Sequence, residues 1–189
     1  MGLIEKMFES RVVRMGPAPL DSARQVATFD PAALRALATA RDAELETFAW
    51  LIGSWKYENA VPATRISPAY CDVGVATFVS NADRTWICML AADGRQLPLL
   101  TFDAWSRQWI YALTNGAYGI LRSPGWDGDR IVFVGTMTMA GVTCEWRMTW
   151  SRRGADGFAF VNEERMADGS LAYIDEWRYE RVDLTTMSR

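Results

Sequence analysis

The feature that most constrains this chain is the corner Leu51-Ile52-Gly53-Ser54-Trp55, where helical periodicity stops and strand periodicity begins. Glycine permits the abrupt change of direction there, and the tryptophan then points back into whatever the strands enclose. Upstream, Asp30-Pro31 is a helix start: a side-chain acceptor followed by proline at the first helical position. From it, Leu34, Leu37, Ala38, Leu45, Phe48 and Ala49 recur at helical spacing, with Arg35, Arg41, Asp42, Glu44 and Glu46 on other faces. This predicts one amphipathic helix over 31–50 whose apolar stripe needs a surface to lie on. Residues 1–20 read as a mixed arm ending in Gly16-Pro17-Ala18-Pro19, and Asp21 as the cap of a short turn through Thr28.

Downstream of the corner no second helix can be placed. Trp55 and Tyr57 alternate with Lys56 and Glu58, the period-two signature of a half-buried strand. After a proline-bearing connection, Val61 to Tyr70, strands are predicted at 73–80, 84–91, 97–103, 107–114, 117–122, 130–138, 142–150, 157–165 and 171–181. Turn residues separate most of them: Asp83, Asp93-Gly94, Asn115-Gly116, Asp127-Gly128-Asp129, Ala140-Gly141, Gly154 to Gly157 and Asp168-Gly169. Short connections make sequence neighbours spatial neighbours. About ten such strands in a meander most economically curl and close. The expected fold is therefore mainly β: a single ten-stranded antiparallel up-and-down barrel with an N-terminal α-helix. Its expected boundaries are an arm at 1–29, the helix at 30–51, the barrel at 52–183 and a tail at 184–189.

Composition narrows the chemistry. The chain of 189 residues is half apolar and carries nine tryptophans, rings that must fill a wide core or line a hollow. A net charge of −3 without a basic run argues against a nucleic-acid partner. There is no histidine, so imidazole metal sites, histidine-based triads and histidine-ligated haem are excluded. Cys71, Cys88 and Cys144 are odd in number and widely spaced, which predicts free thiols in a reducing compartment. The first 20 residues carry charges at Glu5, Lys6, Glu9, Arg11 and Arg14 and read as neither signal peptide nor membrane span, so the expected location is the cytoplasm. Asp127-Gly128-Asp129 lacks the later acidic ligands of a calcium loop and reads as a hairpin turn. No metal, cofactor or membrane partner is expected.

Two stretches carry a resemblance. Leu51-Ile52-Gly53-Ser54-Trp55-Lys56 resembles the G-x-W opening strand of the calycin group (lipocalins, fatty-acid-binding proteins and nitrobindin-like barrels). Trp177-Arg178-Tyr179-Glu180-Arg181 resembles the closing strand of fatty-acid-binding proteins. The spacing between them is similar to that of an uncharacterised bacterial family of lipocalin-like domains, over about residues 48–182. The resemblance implies a barrel with an interior cavity. In fatty-acid-binding proteins an Arg-x-Tyr in the closing strand holds the ligand carboxylate. Tyr179 matches that tyrosine, but Trp177 stands where the arginine would be, and the usual helical lid has no counterpart. Arg147 and Arg178 are the candidates for the arginine that packs across the lipocalin tryptophan. Their parity points outward, so surface ion pairs with Glu145 or Glu176 are the plainer role.

The inward set follows from the last hairpin. Pairing outward from Asp168-Gly169 sets Glu164 opposite Tyr173, Asn162 opposite Asp175, and Phe160 opposite Trp177. Asn162, Glu164 and Asp175 then stand inside beside Trp146, Trp177 and Tyr179. A carboxylate among rings has its pKa raised by desolvation and suits proton transfer, so Asp175 and Glu164, with Tyr179, are the candidate catalytic groups. Trp109, Tyr111, Trp146, Asn162, Tyr173 and Trp177 are the candidate ligand-binding groups. The plainer alternatives are that Asn162 and Asp175 satisfy one another at an open barrel end, and that the rings, Trp55 and Trp150 above all, are core. The expected function is binding of a small, mainly apolar molecule, an aromatic one suiting the rings best. The competing class is a cofactor-independent isomerase, cyclase or lyase. A third is a filled barrel serving as an interaction module, with strands 84–91 and 130–138, apolar on both faces, covered by the helix or by a second copy in a homodimer.

Overall fold

The structure, a computed structural model, describes residues 30–63, 68–114, 116–139 and 141–182. The expected arm, the Asp21 turn, the tail from 184 onward, residues 64–67 of the proline-bearing connection, Asn115 and Ala140 lie outside the described residues.

Asp30 caps helix α1 (Pro31–Glu46) as the sequence predicts, its carboxylate accepting from the Ala32 N–H at 2.8 Å. The helix ends a turn earlier than periodicity suggests, because Phe48 leaves the helical path and is followed by a single 3₁₀ turn, Ala49–Leu51. Ten strands follow: β1 (Gly53–Val61), β2 (Tyr70–Ser80), β3 (Ile87–Leu90), β4 (Gln96–Asp103), β5 (Gln108–Leu113), β6 (Ala117–Ser123), β8 (Arg130–Met139), β9 (Val142–Arg152), β10 (Gly157–Arg165) and β11 (Leu171–Arg181). The two-residue β7 (Trp126–Asp127) hairpins onto the start of β8 through Gly128 and Asp129. Each strand pairs antiparallel with the next in sequence, β1 pairs with β11, and β6 pairs with β8 past the short β7. The sheet is thus a closed, ten-stranded up-and-down barrel, which leaves no open edge.

Strand β3 is shorter than expected. The Asn81 side-chain oxygen Oδ1 accepts from the Thr85 and Trp86 N–H groups at 2.8 and 2.9 Å, which turns 81–86 into a side-chain-closed loop. Outward side chains of the two strands predicted to need covering include Leu90 and Val134, both exposed.

One end of the barrel is plugged. Phe48, Leu51 and Trp55 are fully buried, and Trp55 donates to the Leu51 carbonyl at 2.8 Å. Phe48 stands 4.5 Å from Trp109 and 5.1 Å from Trp126 between ring centroids. The arginine that closes this end is neither Arg147 nor Arg178 but Arg181. Its guanidinium lies 4.3 Å over the Trp55 ring and donates to the carbonyls of Trp50 and Ile52. Arg178 pairs outside with Glu176 at 2.6 Å and Arg147 with Glu163 at 3.9 Å, because their parity faces them outward; Arg181 shares the inward parity of Trp177 and Tyr179. Gly53 is obligatory at the corner: its φ is +129°, and a Cβ there would stand 2.8 Å from the Arg181 guanidinium.

The three cysteines are free, with Cys88 buried and Cys71 exposed. Among the described residues no helix is long and apolar enough to cross a membrane.

Candidate functional site

The other end of the barrel is hollow. A cavity of about 290 Å³ is bounded there by Met89 near the end of β3, Leu113 at the end of β5, Met139 at the end of β8 and Ile174 near the start of β11. Its walls come from most of the barrel, from Phe78, Met89 and Leu97 round to Met148, Phe160 and Trp177. Strand alternation explains the lining: every second residue of a closed sheet faces the axis. On β9 that places Trp146, Met148 and Trp150 inside, and on β10 Phe158, Phe160 and Asn162.

Asp175 is the charged side chain in the cavity wall. It is held by a directional chain of hydrogen bonds. The Trp146 indole N–H donates to Asn162 Oδ1 at 3.0 Å, and Asn162 Nδ2 donates to Asp175 Oδ1 at 2.7 Å. The indole fixes which way round the amide sits, so the amide can only offer its NH₂ to the carboxylate. Burial lifts the Asp175 pKa above the ordinary carboxylate value, and the hydrogen bonds from Asn162 and Trp177 draw it partly back. No ion pair among the described residues includes it.

The phenols cannot act as bases at neutral pH. Burial drives the Tyr179 pKa well above its ordinary value, with the neighbouring Tyr111, Tyr57 and Asp175 adding to the rise. Burial likewise pushes the Tyr111 phenol up. Cys144, beside the Met137 carbonyl, has its thiol raised by burial and by the Glu164 charge, so it stays a thiol. Among the described lining residues, Asp175 is therefore the acidic group, with its pKa moved upward by burial.

Six of the nine candidate residues come together in the cavity: Asp175, Tyr179, Tyr111, Trp146, Asn162 and Trp177. Three stand elsewhere. Trp109 belongs to the plug, packed on Phe48 and on Phe102 at 5.3 Å. Glu164 sits outside the lining, close enough to Cys144 for its charge to act there. Tyr173 is 48% exposed. The predicted register holds at Phe160–Trp177 and Asn162–Asp175, but Glu164 pairs with Ala172 and not with Tyr173. A bulge is the cause: Ile174 is an extra residue in β11, which turns Tyr173 off the inner face and puts Ile174 and Asp175 together in the cavity wall. The sequence reasoning missed the floor and the far wall, Phe160, Met148, Met89 and Ile174. The alternation on β9 and β10 already marked the first two as inward.

No family model and no curated protein matches the chain. Among solved structures it is similar to the crystal structure of Rv2717c from M. tuberculosis, at 14% identity and a TM-score of 0.49, over 74% of this chain and 98% of that one. That likeness transfers no role, and the site stands on its own side chains.

Because the folded protein raises the Asp175 pKa, the ionised form is the one disfavoured by folding. The sign follows: the cost is absent below the unfolded pKa, grows as pH rises through the window between the unfolded and folded values, and is fully present above it. Asp175→Asn keeps an acceptor for Asn162 and removes the charge. Its Tm should exceed the wild type's at neutral pH, with the gap closing as pH falls below about 4. Thermal unfolding at several pH values checks this, and a neutral-pH Tm below the wild type's would contradict it.

Proposed function

We propose that the barrel binds a small, mainly apolar and preferably aromatic molecule in its hollow half, oriented by Asp175, and that it is a calycin-type barrel of the bacterial lipocalin-like kind. One observation carries this: a ring-lined cavity of about 290 Å³ holds, among the described residues, a single hydrogen-bond-positioned carboxylate in an otherwise mostly apolar wall. Pockets of that character, few polar groups fixed among apolar ones, are how proteins hold small molecules. Stacked rings suit a flat ligand better than a flexible chain. Phe160 and Trp177 are 5.7 Å apart at 20°, and Trp177 and Tyr179 6.3 Å apart at 15°.

A second reading, a cofactor-independent isomerase, cyclase or lyase, is favoured by the raised pKa of Asp175 inside the same wall. Asp175 would accept the proton and the protonated Tyr179 phenol would donate a hydrogen bond to the developing oxyanion.

Native mass spectrometry of protein purified from its own source should show a retained small apolar mass. Leu113, half-buried in the cavity wall, gives the control: Leu113→Trp sets a ring across the hollow and should weaken binding of the released compound by at least about tenfold, which is about 1.4 kcal/mol. Binding unchanged in that variant would place the ligand elsewhere. Turnover of the compound that disappears in Asp175→Asn would select the enzyme over the carrier.

A further inference from the structure

The cavity accounts for shape, but its polar groups also specify charge. On the reading that the hollow binds a small molecule, we propose that the molecule is a cation: a protonated amine on an apolar, preferably aromatic body, its nitrogen seated on Asp175 within the Trp146–Trp177–Tyr179 rings.

Among the described residues, the cavity wall contains neither lysine nor arginine, and Asp175 is its one charged residue. An anionic ligand would meet a carboxylate and no counter-charge, a penalty at low dielectric. The Trp146–Asn162–Asp175 chain consumes the Asn162 carbonyl and turns its NH₂ onto the aspartate, so what that chain presents to the hollow is an acceptor. A carboxylate has about four lone-pair sites, and the donors named above, Asn162 and Trp177, leave room for an ammonium. Carboxylates drawn out of water are ordinarily paired, and Asp175, half-buried, lacks a cation among the described residues.

The rings complete the site. Phe160, Trp177 and Tyr179 lie nearly parallel, with centroids 5.7 to 6.3 Å apart, and all three line the hollow together with Asp175. Aromatic rings around a cation attract it through the ring quadrupole. Two further carboxylates stand nearby. Glu164 acts on Cys144 at the same end, and Asp72 lies 3.3 Å from the Tyr57 hydroxyl, whose ring stands 5.3 Å from Trp177. Of the two arginines on this strand, Arg178 faces outward and is held by Glu176 and Glu58, and Arg181 is engaged at the plugged end over Trp55.

Calorimetric titration with three probes of one shape tests this: naphthylmethylamine, naphthylmethanol and naphthoate. The amine should bind at least about tenfold more tightly than the alcohol at neutral pH, and naphthoate weakest. Asp175→Asn should abolish the preference for the amine over the alcohol, bringing their affinities to within about threefold of each other. Equal affinities for amine and alcohol in the wild type, or tightest binding of naphthoate, would overturn the cation proposal while leaving the hollow a binding site. A preference that survives in a folded Asp175→Asn protein would overturn Asp175 as its source. Binding of none of the three would overturn both this proposal and the cavity reading on which it rests. The wild-type comparison needs no variant, so a misfolded Asp175→Asn protein would not protect the proposal.

Discussion

Phe48→Ala is expected to lower folding stability by about 4 kcal/mol, a drop in Tm of roughly 10 °C for a chain of this size. Phe48 lies outside the strands, at the exit of α1, yet it is fully buried. Its ring is enclosed by Trp50, Trp109, Trp126 and Trp150, with centroids between 4.5 and 6.3 Å away. Four indoles held by separate elements cannot all move inward to refill the space, so the variant loses the transfer energy of the ring and keeps a void as well. Trp105→Ala is the control, because that ring is 76% exposed and its loss should change stability by less than about 0.5 kcal/mol. Denaturant titration of both variants checks the difference. A near-neutral Phe48→Ala would mean that the barrel end is not sealed by the helix exit.

Gly135→Val should cost at least about 3 kcal/mol, and more than a cavity variant of equal size change, because the clash falls on backbone. Gly135 on β8 pairs with Leu121 on β6, the seam that closes the barrel. A Cβ at this position would stand 2.4 Å from the Ile120 carbonyl oxygen. Gly119 on the facing strand has the mirrored problem, with the Thr136 carbonyl oxygen at 2.4 Å. Relief requires the two strands to separate, which breaks their ladder and exposes two unpaired edges. Val134→Ala, on the exposed face next door, should be nearly neutral. A soluble Gly135→Val protein with an unchanged oligomeric state and an unchanged unfolding midpoint would contradict the closed seam.

The sequence showed the barrel clearly because alternation survives wherever one face of a strand is apolar and the other charged. Trp146, Met148 and Trp150 against Glu145, Arg147 and Thr149 is such a case, and the structure keeps that parity. It was less clear wherever one residue interrupts the count. The bulge at Ile174 carries no glycine or proline to announce it, so Asp175 was placed correctly while Tyr173, two positions away, was not. Arg181 was overlooked for the opposite reason. It sits at the strand end, where alternation is read least, although two steps on from Tyr179 leads straight to it. Phe48 fitted a helical stripe and its burial was expected, but a linear pattern cannot tell that the chain bends and drives that ring into the barrel end. The cavity itself, a matter of side chains that fail to meet across the axis, has no sequence signal beyond an excess of large rings.

The barrel is stoppered at one end and hollow at the other. A crystal structure under xenon pressure tests it most directly, since xenon enters apolar cavities without needing a specific ligand. A xenon atom bounded by Trp146, Met148, Phe160 and Trp177 is the predicted result. Density showing those rings packed against one another with no xenon inside the sheet would contradict it.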